Sequence, residues 1–259
     1  MAGLDVAMDR TTLYLILAAL GAASASLSWL LARATQCLAL RLGAIDEPKG
    51  GRKIHEVATP LLGGLGIGLV VLIAFGFLSP WLSVPSLALT GLMIAIIILV
   101  IGGVLDDRYD LPAKYQILFP IVASVTAVVC GLSISVITNP FGGAISLQWL
   151  TVSGVALVPS LLAFFWLMGV TYATKVMDGL DGLVTGQAVI GAALIAALSL
   201  TQRYYQPSMA LLAIIVVGAF IGFLPHNMNP AKQFLGEAGS TLAGFLLGAL
   251  AILSGAKLA

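Results

Sequence analysis

Residues 86–105 read SLALTGLMIAIIILVIGGVL, and Asp106-Asp107-Arg108-Tyr109-Asp110 follow at once. Twenty residues pass without a charge, and then four of the next five carry one. As an α-helix such a stretch rises about 30 Å, the thickness of a bilayer's hydrocarbon core. A lipid-facing barrel strand would instead alternate over about ten residues, and this stretch does not. The segment therefore predicts a transmembrane helix that ends at an acidic membrane boundary.

The rest of the chain repeats the pattern. Of 259 residues, 60% are apolar and 9% charged. A soluble domain of this size cannot hide so much apolar surface, which excludes a soluble enzyme. Disorder requires the opposite composition. Further apolar runs cover residues 12–32, 61–79, 115–137, 153–173, 184–201, 209–225 and 240–256. The reading is an all-α, polytopic integral membrane protein of about eight transmembrane helices in a single domain, residues 1–259. The first run is too long for a signal-peptide core, and Asp5, Asp9 and Arg10 precede it where a basic segment would be needed. Cys37 and Cys130 have no paired spacing and read as small packing residues. Asn139–Trp149 carries a turn signal and short alternation, and predicts a small hairpin.

Charge sets the orientation. Nine of the twelve Lys and Arg fall on alternate connectors of one side: Arg33, Arg41, Lys49, Arg52, Lys53, Arg108, Lys114, Lys175 and Lys232. The positive-inside rule makes that side cytoplasmic and both termini extracytoplasmic. Nine of the eleven acids share it, which no orientation rule requires. This concentration predicts an active site at the cytoplasmic membrane surface.

Four clusters build that expectation. Asp106 and Asp107 repel each other and are expensive to desolvate, and a divalent cation relieves both problems. Mg²⁺ is typically held by one or two carboxylates plus substrate phosphate oxygens. The ordinary alternative is a solvated helix end. Asp178 and Asp181, in DGLDGL, share a helical face near a helix start, either as caps or beside a ligand that approaches their glycines. Glu237 is the sole acid of the last 78 residues and lies between Gly236 and Gly239. The connector Asp46–Pro60 carries Lys49, Arg52, Lys53 and His55 around a Gly-Gly pair, and Arg52, Lys53 and His55 suit either a phosphate or anionic headgroups. Together the clusters meet what metal-assisted phosphoryl transfer needs. A secondary transporter would place charges at the bilayer midplane on broken helices. A non-catalytic scaffold or degenerate homologue is the other alternative.

DEPKGGRKIHEVATPLLGG (46–64), GVLDDRYDL (103–111), MDGLDGL (177–183) and NMNPAKQFLGEAGS (227–240) resemble, in order and topological position, the polyprenyl-phosphate N-acetylhexosamine-1-phosphate transferases, glycosyl transferase family 4. The first piece resembles the undecaprenyl-phosphate GlcNAc-1-phosphate branch more than the muramoyl-pentapeptide branch. The resemblance implies transfer of N-acetylhexosamine-1-phosphate, GlcNAc-1-phosphate foremost, from a UDP-sugar to polyprenyl phosphate with release of UMP. It implies Mg²⁺, or Mn²⁺ in its place, and a multi-pass protein of the bacterial plasma membrane that starts cell-envelope glycans. UDP-N-acetylhexosamine, polyprenyl phosphate and membrane lipid are the expected partners, with a homodimer as an assembly and no nucleic acid.

The same resemblance implies residue roles. Asp106 and Asp107 would be catalytic, and Asp107 and Glu237 would hold the metal. Asp178, Asp181, Lys175 and Asn227 would lie at the nucleotide, and Arg52, Lys53 and His55 at the lipid phosphate. Three departures stand out. Glu237 replaces the family's usual Asp, and Lys175 its usual Asn. The family's last two spans, with a His-containing cytoplasmic loop between them, are expected beyond the eighth span and do not occur in these 259 residues.

Overall fold

The computed structural model describes residues 9–47, 58–139, 142–148, 151–152, 155–202 and 204–255. Helices dominate: α1 (Arg10–Leu42), α2 (Gly63–Leu78), α3 (Ser86–Tyr109), α4 (Ala113–Gln116), α5 (Leu118–Val129), α6 (Leu157–Met177), α7 (Leu183–Ser199), α8 (Pro207–Asn227) and α9 (Gly236–Leu253). Each apolar run of the sequence has its helix. Six are long and apolar enough to cross a membrane, while Ala113–Val129 and Leu183–Ser199 are shorter apolar segments. Large apolar side chains also cover the outside, as Leu15, Phe77, Phe165 and Ile190 show. A helix apolar all round has lipid on its outer face. The chain is an integral membrane protein.

α8 is the axis of the bundle. The most apolar part of this helix is 83% buried, against 22% for α1 and 28% for α6. It packs on α1, α7 and α2, while α9 packs on α6, α3, α2 and α7. Small residues permit these contacts. A Cβ on Gly222 of α8 would lie 2.1 Å from the Ala25 carbonyl oxygen of α1, and Ser28 Oγ donates to the Ala219 carbonyl of α8 nearby. Close approach through small residues, with a hydroxyl bridging to a neighbouring backbone, is how helices associate where lipid removes the hydrophobic drive.

Several boundaries differ from the apolar runs. α1 continues through Arg33 and Arg41, since nothing breaks the helix until Gly43 adopts φ 69° and donates to the Ala39 carbonyl. α5 stops at Val129 rather than reaching 137, because Gly131 takes φ 107° and the β-branched run beyond it forms a short strand, Val136–Thr138. That strand pairs antiparallel with Ala144–Ser146, Ile137 opposite Ile145, so the expected hairpin exists but begins three residues before Asn139. A short ladder, Ile45–Asp46 with Thr59–Pro60, closes the long connector at its base. Arg52, Lys53 and His55, the expected phosphate ligands of that connector, lie outside the described residues.

Candidate active site

The start of α9 is where Asp107 and Glu237 meet. Two backbone bonds dock the α2 entrance onto the segment before it: Gly63 N–H donates to the Phe234 carbonyl (3.2 Å) and Gly64 N–H to the Leu235 carbonyl (2.8 Å). From the other side α3 presses on Ala238, where a Cβ on Gly103 would come within 2.1 Å of the Ala238 Cα. Gly103 therefore brings Asp107, one turn further along α3, to the first turn of α9. Asp107 Oδ1 accepts the Glu237 N–H at 2.8 Å. A carboxylate on the unpaired N–H groups of a helix start is favoured by charge and by hydrogen bonding. Its other oxygen, Oδ2, is buried without a partner among the described residues. Gly236, at φ 74°, leaves room for it, since a Cβ there would sit 2.5 Å from that oxygen.

Glu237 reaches across to the end of α6. Lys175 Nζ lies 2.6 Å from Glu237 Oε1 and donates to Gln116 Oε1 at 2.9 Å. Gln116 in turn donates to the Leu111 carbonyl (2.8 Å), and Leu111 N–H donates to Asp106 Oδ1 (3.0 Å). Asp106, Gln116, Glu237 and Thr241 line one small void with Gly102 and Phe119. Asp178 caps α6 three residues beyond Lys175 and is exposed at the rim. Desolvation by the protein behind it, and secondarily the Glu237 charge, raise its carboxyl above the usual carboxylate range.

A second network stands beside the first. Asn227, buried at the end of α8, accepts from Gly182 N–H (3.2 Å) and the Thr185 hydroxyl (2.6 Å), and donates to the Gln233 carbonyl (3.1 Å). Asp181 Oδ2 accepts from the Asn229 amide (3.0 Å) and Ala231 N–H (3.1 Å). These two residues tie the DGLDGL loop to the 227–233 loop. Asp106, Asp107, Lys175 and Glu237 thus share one bonded network, Asp178 lies at its rim, and Asp181 and Asn227 brace the adjoining loops.

Three contributors escaped the sequence reading. Gln116 carried no signal, and Gly236 was noted only as a flank of Glu237. The Lys175–Glu237 pair spans 62 positions, which no local spacing rule detects. A lysine at the last turn of an apolar helix, opposite a lone acid opening another, was the available clue.

A family model, Glycosyl transferase family 4, matches residues 89–255, the stretch that holds every residue of both networks. The chain belongs to glycosyl transferase family 4. Relatives agree. This family 4 chain is 31% identical over 217 residues to a probable undecaprenyl-phosphate N-acetylglucosaminyl 1-phosphate transferase of Bacillus subtilis, covering 83% of the chain and 57% of that protein. It is 31% identical over 246 residues to a decaprenyl-phosphate N-acetylglucosaminephosphotransferase of Mycobacterium tuberculosis, covering 90% and 59%. A phospho-N-acetylmuramoyl-pentapeptide-transferase of Limosilactobacillus reuteri is 28% identical over 207 residues, covering 76% and 61%. The chain thus spans about three fifths of the length of these curated relatives.

The donors of the site are carboxylate oxygens, the chemistry that a hard divalent cation prefers. The partnerless, buried Asp107 Oδ2 beside Glu237 fits such an ion. Among the described residues no three His, Cys, Asp or Glu side chains surround one point, and Lys175 holds Glu237 instead.

Proposed function

We propose that the protein transfers N-acetylhexosamine-1-phosphate, most directly GlcNAc-1-phosphate, from a UDP-sugar to undecaprenyl or another polyprenyl phosphate, releasing UMP and starting a cell-envelope glycan. The observation that carries this reading is Asp107 and Glu237 meeting at one helix start, at the membrane boundary of a family 4 chain. In the reaction a phosphate oxygen of the lipid bonds to the sugar-bearing phosphorus while that phosphorus loses its bond to the UMP oxygen. Asp107 and Glu237 would hold Mg²⁺ or Mn²⁺, which supplies charge neutralisation for the diphosphate when bound. Asp106, held through one oxygen by Leu111 N–H, would act as the carboxylate that takes the lipid phosphate's proton. Asp181 and Asn227 hold the two loops that frame the nucleotide.

An open apolar groove of about 430 Å³ runs between α6 and α7 above Leu247 of α9, lined by Val170, Ala173, Met177 and Ile190. It reaches the turn that carries Lys175, so a prenyl chain lying in it would bring its phosphate to the acids. With the positive-inside orientation, the UDP-sugar enters from the cytoplasm of a bacterial cell and the lipid enters from the plasma membrane. Purified full-length protein given UDP-GlcNAc, undecaprenyl phosphate and Mg²⁺ is expected to release UMP, and omission of either the lipid or the cation should stop it. UMP release independent of the lipid would overturn the assignment.

A further inference from the structure

Lys175 is the cation in direct contact with Glu237, inside the bonded network that also holds Asp106 and Asp107. It sits in the last turn of α6, a place that favours a cation. Its ammonium bridges Glu237 Oε1 at 2.6 Å and Gln116 Oε1 at 2.9 Å and lies 5.6 Å from the centre of the Tyr172 ring. The pair is only partly exposed, Lys175 at 22% and Glu237 at 15%, so water screens it incompletely.

Two observations conflict if the contact is permanent. Asp107 Oδ2 is buried and partnerless among the described residues, and the other oxygen of the same carboxylate accepts the Glu237 N–H. Yet the oxygen that would complete a cation site there is taken by an ammonium. A divalent cation on Glu237 Oε1 and an ammonium 2.6 Å from that same oxygen would repel each other strongly at that separation. Lysine can resolve the conflict, because its charge is a compact point on a flexible four-carbon stem. Gln116 is fixed by its bond to the Leu111 carbonyl, so the stem keeps one partner when the other is lost. Asp178 stands three residues further on, at the exposed rim of the same network.

Resting on the transferase reading above, we propose that Lys175 is the exchangeable counter-ion of the metal site. It neutralises Glu237 in the cation-free protein, and it passes to the diphosphate of the nucleotide-sugar once Glu237 is given to a divalent cation. Cation and substrate are thereby coupled through one side chain, and binding of either favours the other.

The test measures Mn²⁺ binding by the electron paramagnetic resonance of free Mn²⁺, using full-length protein in nanodiscs without substrate. Lys175→Asn and Lys175→Met should bind Mn²⁺ roughly ten-fold more tightly than wild type, the scale of one charge-assisted contact. Lys175→Arg keeps the competing charge and should stay near wild type. The KM for UDP-GlcNAc should rise roughly ten-fold in Lys175→Asn, as when one phosphate contact is lost, with kcat less affected. Unchanged or weaker Mn²⁺ binding in both the Asn and Met variants overturns the proposal, as does an unmoved KM. Two neutral variants guard against misfolding of either. Wild type that binds Mn²⁺ yet releases no UMP overturns the transferase reading, while the Mn²⁺ comparison still decides whether Lys175 competes for Glu237.

Discussion

The carboxylate of Asp107 fills the space where a side chain on residue 236 would begin, and both positions are constrained by it. Gly236 has φ 74° and no room for a Cβ beside Asp107 Oδ2. Gly236→Ala should therefore cost about 1–2 kcal/mol of stability from the left-handed backbone alone. It should cost activity far more, at least about 100-fold, because an ångström of displacement at a reacting group has that effect. A thermal melt beside a UMP-release assay separates the two. If Gly236→Ala turns over normally, Asp107 does not work from the place assigned to it.

Charge and shape can also be separated at this scale. Asp107→Asn preserves the volume and removes the charge, and is expected to abolish cation-dependent UMP release. Asp110→Asn is the matched control on the same turn. Asp110 is exposed at φ 50°, a conformation that Asn adopts readily, so this variant should stay within a few-fold of wild type. Glu237→Asp should retain activity and Glu237→Gln should not. Asp107 is bonded to the backbone N–H of Glu237, so neither change at 237 disturbs that bond. Normal turnover of Asp107→Asn and Glu237→Gln together would remove the metal-site assignment.

At the scale of elements, the site depends on how closely α3 lies against α9. Gly103 is the contact, with the Ala238 backbone where its Cβ would be. Gly103→Val should drive the two helices apart, costing about 1–3 kcal/mol and breaking the Asp107–Glu237 bond. Loss of activity in protein that still inserts and elutes as wild type is the expected result, and full activity would show that the two helices need not touch.

The elements also show what the sequence could and could not reveal. Long apolar runs announced the helices, because lipid requires every spanning backbone group to be bonded within its own segment. Boundaries at Gly43 and Gly131 were missed, since one helix ran on into polar residues and the other stopped inside apolar ones. The acids were legible because charges are rare in so apolar a chain. Which acid meets which lysine was not legible, because Lys175 and Glu237 are brought together only by the packing of α6 on α9. Asn227 was read as a nucleotide contact from its motif, and the fold adds a bracing role, since its oxygen and amide are bonded to three neighbours.

For the whole molecule, the site's acids and their bracing loops gather at one end of the bundle, and the proposed function requires that end to face the cytoplasm. A single cysteine at position 110, in a background carrying Cys37→Ser and Cys130→Ser, reports the side directly. A membrane-impermeant maleimide should label it in inverted vesicles and leave it unlabelled in sealed right-side-out vesicles. The reverse pattern would place the site on the outer face and remove cytoplasmic UDP-sugar as its substrate.

The burial of α8 has a mechanical consequence. A rod sheathed by its neighbours along most of its length is not gripped by acyl chains, so lateral pressure and bilayer thickness act on it only through other helices. The outer helices α1 and α6, mostly bare to lipid, are the ones that tilt when a membrane thins or thickens. Asn227 ends the sheathed rod, and the loops it clamps ride on that end. The bracing of the acid cluster is thus referenced to the protein's own axis, so a change in bilayer thickness is expected to reach those loops only through the outer helices.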